Sequence, residues 1–316
     1  MKWTLLFCIA AGAALAEVPF ADLAKLFENG AGPAPALSVS PDAPQPKVKV
    51  YDFSFASPVA GRVPGTLVTP ARKGKFPVIL FGHWMMAGSP MRHRGEFLEE
   101  AVILAKAGSV CLLLDAPLVR PGVVEDADPM NGQGVTAAIQ MAREWRRALD
   151  LLLARTDTDS RRVAYVGHSF NAGVGAQLAA VEKRIQSFVL MANTYSLRDY
   201  IYDDENPTMV TMRKSKGEAW IGEYFDKFPT AEVSGFAARS APAAIFLQNG
   251  RLDKPLSEHI VRKTFTYFKE PKRLEFYDAG HELDAKARTD RVAWLQEQLR
   301  LGPVDQRALD AIPKLR

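Results

Sequence analysis

The segment Arg161-Arg162-Val163-Ala164-Tyr165-Val166-Gly167-His168-Ser169-Phe170-Asn171-Ala172-Gly173-Val174-Gly175-Ala176 limits the fold more than any other part of the chain. Its short apolar run, bounded by charges, reads as a buried strand. The run passes through Gly-His-Ser into small residues that suit a helix as far as Ala180. Glycine permits a tight turn between strand and helix, and places Ser169 at the unpaired N–H groups and positive dipole end of the helix, where developing negative charge is stabilised. A Gly-Ser turn without chemistry is the plain alternative.

On either side of this segment strands and helices alternate. Val48–Phe55 has the apolar/polar alternation of a half-buried strand, and Gly61–Val68 reads as its antiparallel partner. Pro77–Phe81, Val110–Leu114, Phe188–Met191, Ala243–Leu247 and Arg273–Tyr277 read as further strands. Helical periodicity falls over Phe97–Ala107, Val135–Ala154, Ser257–Phe268 and Lys286–Leu299. Continuous apolar strands alternating with helices predict an α/β chain with a mostly parallel central sheet covered on both faces. With 316 residues, 47% of them hydrophobic, the chain can bury one large core.

Three regions stand outside that alternation. Residues 1–16 read as a signal peptide: Lys2, an apolar run over Leu5–Leu15, and the small-residue site Ala14-Leu15-Ala16. The run is too short to span a membrane, so export without a stable membrane anchor, to the periplasm or medium, is expected. Residues 17–46 hold a short amphipathic helix over Phe20–Glu28 and a Pro/Ala-rich linker expected to form no regular element; the folded domain is expected over 47–301 and a tail over 302–316. Residues 193–240, polar and aromatic without a clear period, are an insertion between two core strands, read either as a cap over the site or as a helical decoration away from it.

Composition excludes several classes. The net charge of +4 with no basic stripe argues against nucleic acid, and Arg143, Arg146 and Arg147, at helical spacing, read as a solvated face. Beyond the leader the single cysteine, Cys111, lies in an apolar strand as an inert core thiol. There is no Cys/His cluster of the kind that holds a metal.

Serine is a weak nucleophile that needs a base held by an acid. Of five histidines, His168 adjoins Ser169 and is badly placed to serve it, His83 and His93 belong to the loop after the Pro77–Phe81 strand, and His259 lies within a helix. His281 follows Tyr277-Asp278-Ala279-Gly280, a strand end running into a loop at the carboxyl edge of the sheet, beside the Ser169 turn. Asp253, after Gln248-Asn249-Gly250-Arg251-Leu252, is the preferred acid, and Asp278, a residue suited to a turn, is its rival.

Val163–Gly173, Gln248–Asp253 and Asp278-Ala279-Gly280-His281 together resemble the α/β-hydrolase superfamily, most closely its dienelactone hydrolase, acetyl-xylan esterase and prolyl-oligopeptidase-like branch, over about Lys47 to Leu301. The resemblance implies the α/β-hydrolase fold, a Ser169–His281–Asp253 triad in the order Ser, Asp, His, and hydrolysis of a small-molecule ester with no cofactor. It also implies an oxyanion hole of two backbone N–H groups, from Phe170 and from Trp84 or Met85 in Phe81-Gly82-His83-Trp84-Met85-Met86-Ala87-Gly88. Two departures stand out: Asn171 replaces the second glycine of G-x-S-x-G, and Trp84 replaces the glycine of the usual His-Gly pair.

Further substrate contacts are expected from His83, Met85, Asn171 and Asp115, although Asp115 equally suits a turn cap and Met85 loop packing. A prolyl-oligopeptidase-like peptidase is the nearest enzyme alternative, although that branch often carries a propeller for which this chain is too short. A non-catalytic α/β-hydrolase serving as a binding module is the alternative from another class. A haloalkane dehalogenase would need a carboxylate at position 169.

Overall fold

The computed structural model describes residues 18–30, 36–39, 47–126, 128 and 130–315. The expected signal peptide, residues 1–16, lies outside them. The described strands are β1 (Ala36–Val39), β2 (Val48–Ala56), β3 (Arg62–Pro70), β4 (Phe76–Gly82), β5 (Val110–Leu114), β6 (Thr158–His168), β7 (Ser187–Met191), β8 (Ala244–Gly250) and β9 (Lys272–Tyr277). They form one nine-stranded sheet in the order β1-β2-β3-β5-β4-β6-β7-β8-β9. The first three strands and the β3–β5 pairing are antiparallel, and every pairing from β5 to β9 is parallel.

The parallel strands are buried on both faces, which is why they appeared in the sequence as unbroken apolar runs. In β4, Val78 and Leu80 join the core on one face while Ile79 and Phe81 join the other. The helices covering those faces include α2 (Leu98–Ala107), α3 (Gln133–Leu153), α4 (Phe170–Val181), α9 (Glu258–Phe265) and α10 (Ala285–Leu299). In β5, burial pushes the Cys111 thiol up to about 12, so it stays protonated as an inert core group.

The segment before Lys47 contributes more than a linker would. The expected helix is short, α1 (Phe20–Lys25), and Phe27, two residues beyond it, is fully buried with its ring 5.3 Å from that of Phe236. Arg146 donates to Phe27 O at 2.6 Å and Arg143 to Glu28 O at 2.8 Å. Arg143 and Arg146 therefore pin the N-terminal segment, and Arg147 is buried, so the cluster is not a solvated face. The linker also contains a regular element, contrary to expectation: β1 pairs antiparallel with β2 at the edge of the sheet. A four-residue edge strand tolerates flanking prolines because only one of its sides is paired.

Between β7 and β8 the insertion folds as α5 (Leu197–Ile201), α6 (Pro207–Lys216), α7 (Glu218–Lys227) and α8 (Ser234–Ala237). Several of these helices are too short to display a helical period, which hid them in the sequence. Ile201, Ile221, Tyr224 and Phe225 give the insertion a small core of its own. At the other end, α11 (Gln306–Asp310) folds back on the domain, where Leu309 is buried and Arg288 donates to Leu309 O, Ile312 O and Pro313 O. Among the described residues no helix is long and apolar enough to cross a membrane.

The topology locates a crevice. Neighbouring parallel strands β4 and β6 lead to β5 on one side and β7 on the other. Their outgoing loops therefore diverge at the carboxyl edge of the sheet, where α/β folds place ligands.

Candidate active site

Ser169 sits at that divergence, as the residue capping α4, with φ 53° and ψ −113°. A positive φ in a non-glycine residue costs about 1–3 kcal/mol and persists only where the surroundings impose it. Here Ser169 N donates to Met191 O at 2.8 Å, and Asn193 Nδ2 donates to Ser169 O at 2.6 Å. The turn is thus clamped from β7 and from the residue that opens the insertion.

Two loops converge on the serine. The loop after β8 carries Asp253 and the loop after β9 carries His281, and Leu252 N donates to Ala279 O at 3.0 Å to tie the two together. Ser169 Oγ lies 2.8 Å from His281 Nε2, and His281 Nδ1 lies 2.8 Å from Asp253 Oδ2. The Asp253 side chain is fully buried and can only accept, so Nδ1 bears a proton and Nε2 is free to take one from the hydroxyl. Asp278, the rival acid, is 92% exposed and pairs with Arg251 at 3.4 Å, away from the imidazole.

Over Ser169 and His281 opens a mainly apolar cavity of about 350 Å³, of which Leu197 and Tyr200 of the insertion line one side. This is within the usual size range for a small-molecule site.

The loop after β4 departs from expectation at Trp84. Its N–H donates to Glu96 Oε2 at 2.6 Å and is therefore engaged, which removes Trp84 from the expected pair of donors. The N–H groups of Phe170 and Met85 have no acceptor among the described residues. The Met85 side chain is half-buried against the core and does not line this cavity.

The remaining expected substrate contacts are structural. His83 is fully buried, its Nε2 accepting from Ala116 N at 2.9 Å and its Nδ1–H donating to Trp84 O at 2.6 Å. Burial holds this imidazole below its usual range, so it is neutral. Asp115 is buried, accepts from Arg94 N at 2.8 Å and forms an ion pair with the Arg94 guanidinium. Asn171 is also fully buried; its Nδ2 donates to His83 O at 2.7 Å, and Tyr165 OH donates to its backbone oxygen at 2.8 Å. All three fix the loop after β4 instead of facing the cavity.

The Asn171 departure has a steric counterpart. A Cβ at Gly82, at the end of β4, would lie 2.6 Å from the Asn171 side chain. Space that the familiar motif leaves on the helix is here left on the strand, and the asparagine amide fills it.

Glu96 and His168 form a part of the site that the sequence did not reveal. Glu96 Oε1 lies 2.6 Å from His168 Nδ1, and His168 Nε2 donates to His281 O at 2.8 Å. A carbonyl only accepts, so Nε2 carries one proton, and the short Nδ1–Oε1 separation holds another. Ring and carboxylate thus form a pair of zero net charge, with side chains only 2% and 3% exposed. The Trp84 indole stacks on the His168 ring at 5.1 Å and 21°. Through this pair the loop after β4, the Ser169 turn and the His281 loop are joined.

No protein-family model and no curated protein sequence matches the chain. Solved structures do match its fold. The acetyl xylan esterase from Paenibacillus sp. R4 superposes with a TM-score of 0.70 at 18% identity, over 89% of this chain and 93% of that one. Acetyl xylan esterase 1 from Thermoanaerobacterium sp. superposes with a TM-score of 0.69 at 17% identity, over 88% and 92%. A cold-adapted esterase from an Arctic intertidal metagenomic library matches with a TM-score of 0.56 at 20% identity, over 81% and 96%. The chain has the α/β-hydrolase fold.

The buried pair yields a stability prediction. Glu96→Ala leaves both the Trp84 N–H and the His168 ring proton unpaired and is expected to cost about 3–5 kcal/mol in urea unfolding. Glu96→Gln, whose amide can accept from Trp84 and donate to a neutral His168, is expected to cost less than half as much.

Proposed function

We propose that this chain is an exported serine hydrolase that cleaves carboxylic esters through an acyl-enzyme. The observation that carries the reading is the continuous hydrogen-bonded path from Ser169 Oγ through His281 to the buried Asp253 carboxylate, opening into an apolar cavity. The esterases among the solved structures of similar fold support the reaction class.

In the proposed cycle His281 Nε2 takes the hydroxyl proton as Ser169 Oγ bonds to the ester carbonyl carbon. Asp253 keeps Nδ1 protonated and stabilises the imidazolium. The N–H groups of Phe170 and Met85, the two left without acceptors, are the proposed donors to the oxyanion; each such donor contributes about 3–4 kcal/mol to catalysis in comparable enzymes. The imidazolium then protonates the leaving alcohol as its C–O bond breaks. Water, deprotonated by His281, attacks the acyl carbon, and Ser169 leaves with its proton restored. The connected triad favours an enzyme over a binding module.

Turnover of p-nitrophenyl esters tests these roles. Ser169→Ala is expected to reduce hydrolysis to the residual level of the oxyanion site, and Asp253→Asn to lower kcat by about four orders of magnitude, as for other triads. Asp278→Asn, an exposed substitution, is expected to stay within about a factor of two. Equal loss in Asp253→Asn and Asp278→Asn contradicts the assignment of the acid. Export is tested by N-terminal sequencing of protein recovered outside the cytoplasm, for which Glu17 is the expected first residue; an intact Met1 start contradicts it.

A further inference from the structure

Phe170, Gly173, Val174 and Gln177 of α4 all line the cavity and follow one another on a single helix face. Ser169 stands at the N-terminal end of this row, and Gln177 lies two turns further on. Val135 and Ala138 of α3, Leu197 of the insertion and Val233 supply apolar wall between these ends. An ester group at Ser169 can thus extend an apolar chain along α4 toward Gln177.

Gln177 breaks the apolar character of the wall. It is 2% exposed, and its Nε2 donates to Thr230 O at 3.2 Å while its Oε1 has no partner. The Thr230 contact fixes the orientation of the amide, because a flip would set one oxygen against another. Thr194 Oγ1 is the other buried side-chain polar atom without a partner among the lining residues, but a hydroxyl can rotate between roles and an amide oxygen only accepts. A buried acceptor left unpaired costs free energy that an incoming donor restores.

We propose that Gln177 is a specificity residue and that the preferred substrate is an ester of an acyl chain with a hydrogen-bond donor, a hydroxyl or amide N–H, at its far end. The proposal rests on the reading of Ser169 as nucleophile. Eight residues of helix rise about 12 Å. Long side chains on a helix lean back toward its N-terminus, which shortens the gap. An extended chain gains about 1.2 Å per bond, so an acyl group of about six carbons spans what remains.

The test compares p-nitrophenyl 6-hydroxyhexanoate with p-nitrophenyl heptanoate, two esters of equal chain length that differ in one terminal atom. Wild-type protein is expected to hydrolyse the hydroxy ester with at least about tenfold higher kcat/KM, since a site with a buried acceptor discriminates against an analogue without the donor. In Gln177→Met, which keeps length and apolar bulk, that ratio is expected to fall to about one or below. Because both esters are read on the same preparation, the ratio is insensitive to the fraction folded, and the wild-type comparison stands even if the variant does not fold. A wild-type ratio of one or less, or an unchanged ratio in Gln177→Met, overturns the proposal. Absence of turnover on every ester, p-nitrophenyl acetate included, would instead overturn the reading of Ser169.

Discussion

The structure depends on how closely α4 approaches the strand that feeds it. The Asn171 backbone comes so near β6 that a Cβ at Gly167 would lie 2.3 Å from Asn171 O. Only glycine fits there, and only such an approach lets Ser169 take its positive φ with its N–H on Met191 O. The glycine is thus required for space more than for freedom of rotation, the role that the sequence suggested. Once this turn is set, the α4 face that lines the cavity, the separation of the loops after β4 and β6, and the position to which His281 must reach are all set with it.

Around that turn the site is held by side chains that do not face the cavity. Asn171 binds the β4 loop, and Gly82 makes room for it. His83 bridges its own loop to Ala116, and Asp115 secures the backbone of Arg94. Glu96 draws the Trp84 N–H and the His168 ring into one cluster, and His168 passes the connection to the His281 carbonyl. Trp84 and Asn171 first appear as defects in a motif. In three dimensions each is compensated by a partner distant in sequence, Glu96 for one and Gly82 for the other.

That distance explains what could be read in advance. The parallel strands were legible because burial on both faces leaves unbroken apolar runs, and Val110–Leu114 coincides with β5. Ser169, Asp253 and His281 were legible as candidates because each follows a strand at the edge where the topology forces loops to meet. His83, Asn171 and Asp115, expected to contact substrate, instead make the hydrogen bonds that hold the loop after β4, because sequence gives a residue's position in the chain without saying where its hydrogen bonds go. Glu96 carried no signal, since a glutamate opening a short helical turn looks like any exposed acid. The insertion helices were too short for their period to show, and β1 was concealed by the prolines around it.

The central claim is that Ser169 is a nucleophile activated by His281. Reaction of the purified protein with a fluorophosphonate, followed by peptide mass mapping, tests it most directly. The account predicts a single adduct on Ser169 that His281→Ala abolishes while the protein remains folded by circular dichroism. Folded wild-type protein that forms no adduct at Ser169, or that labels as readily without His281, would contradict it.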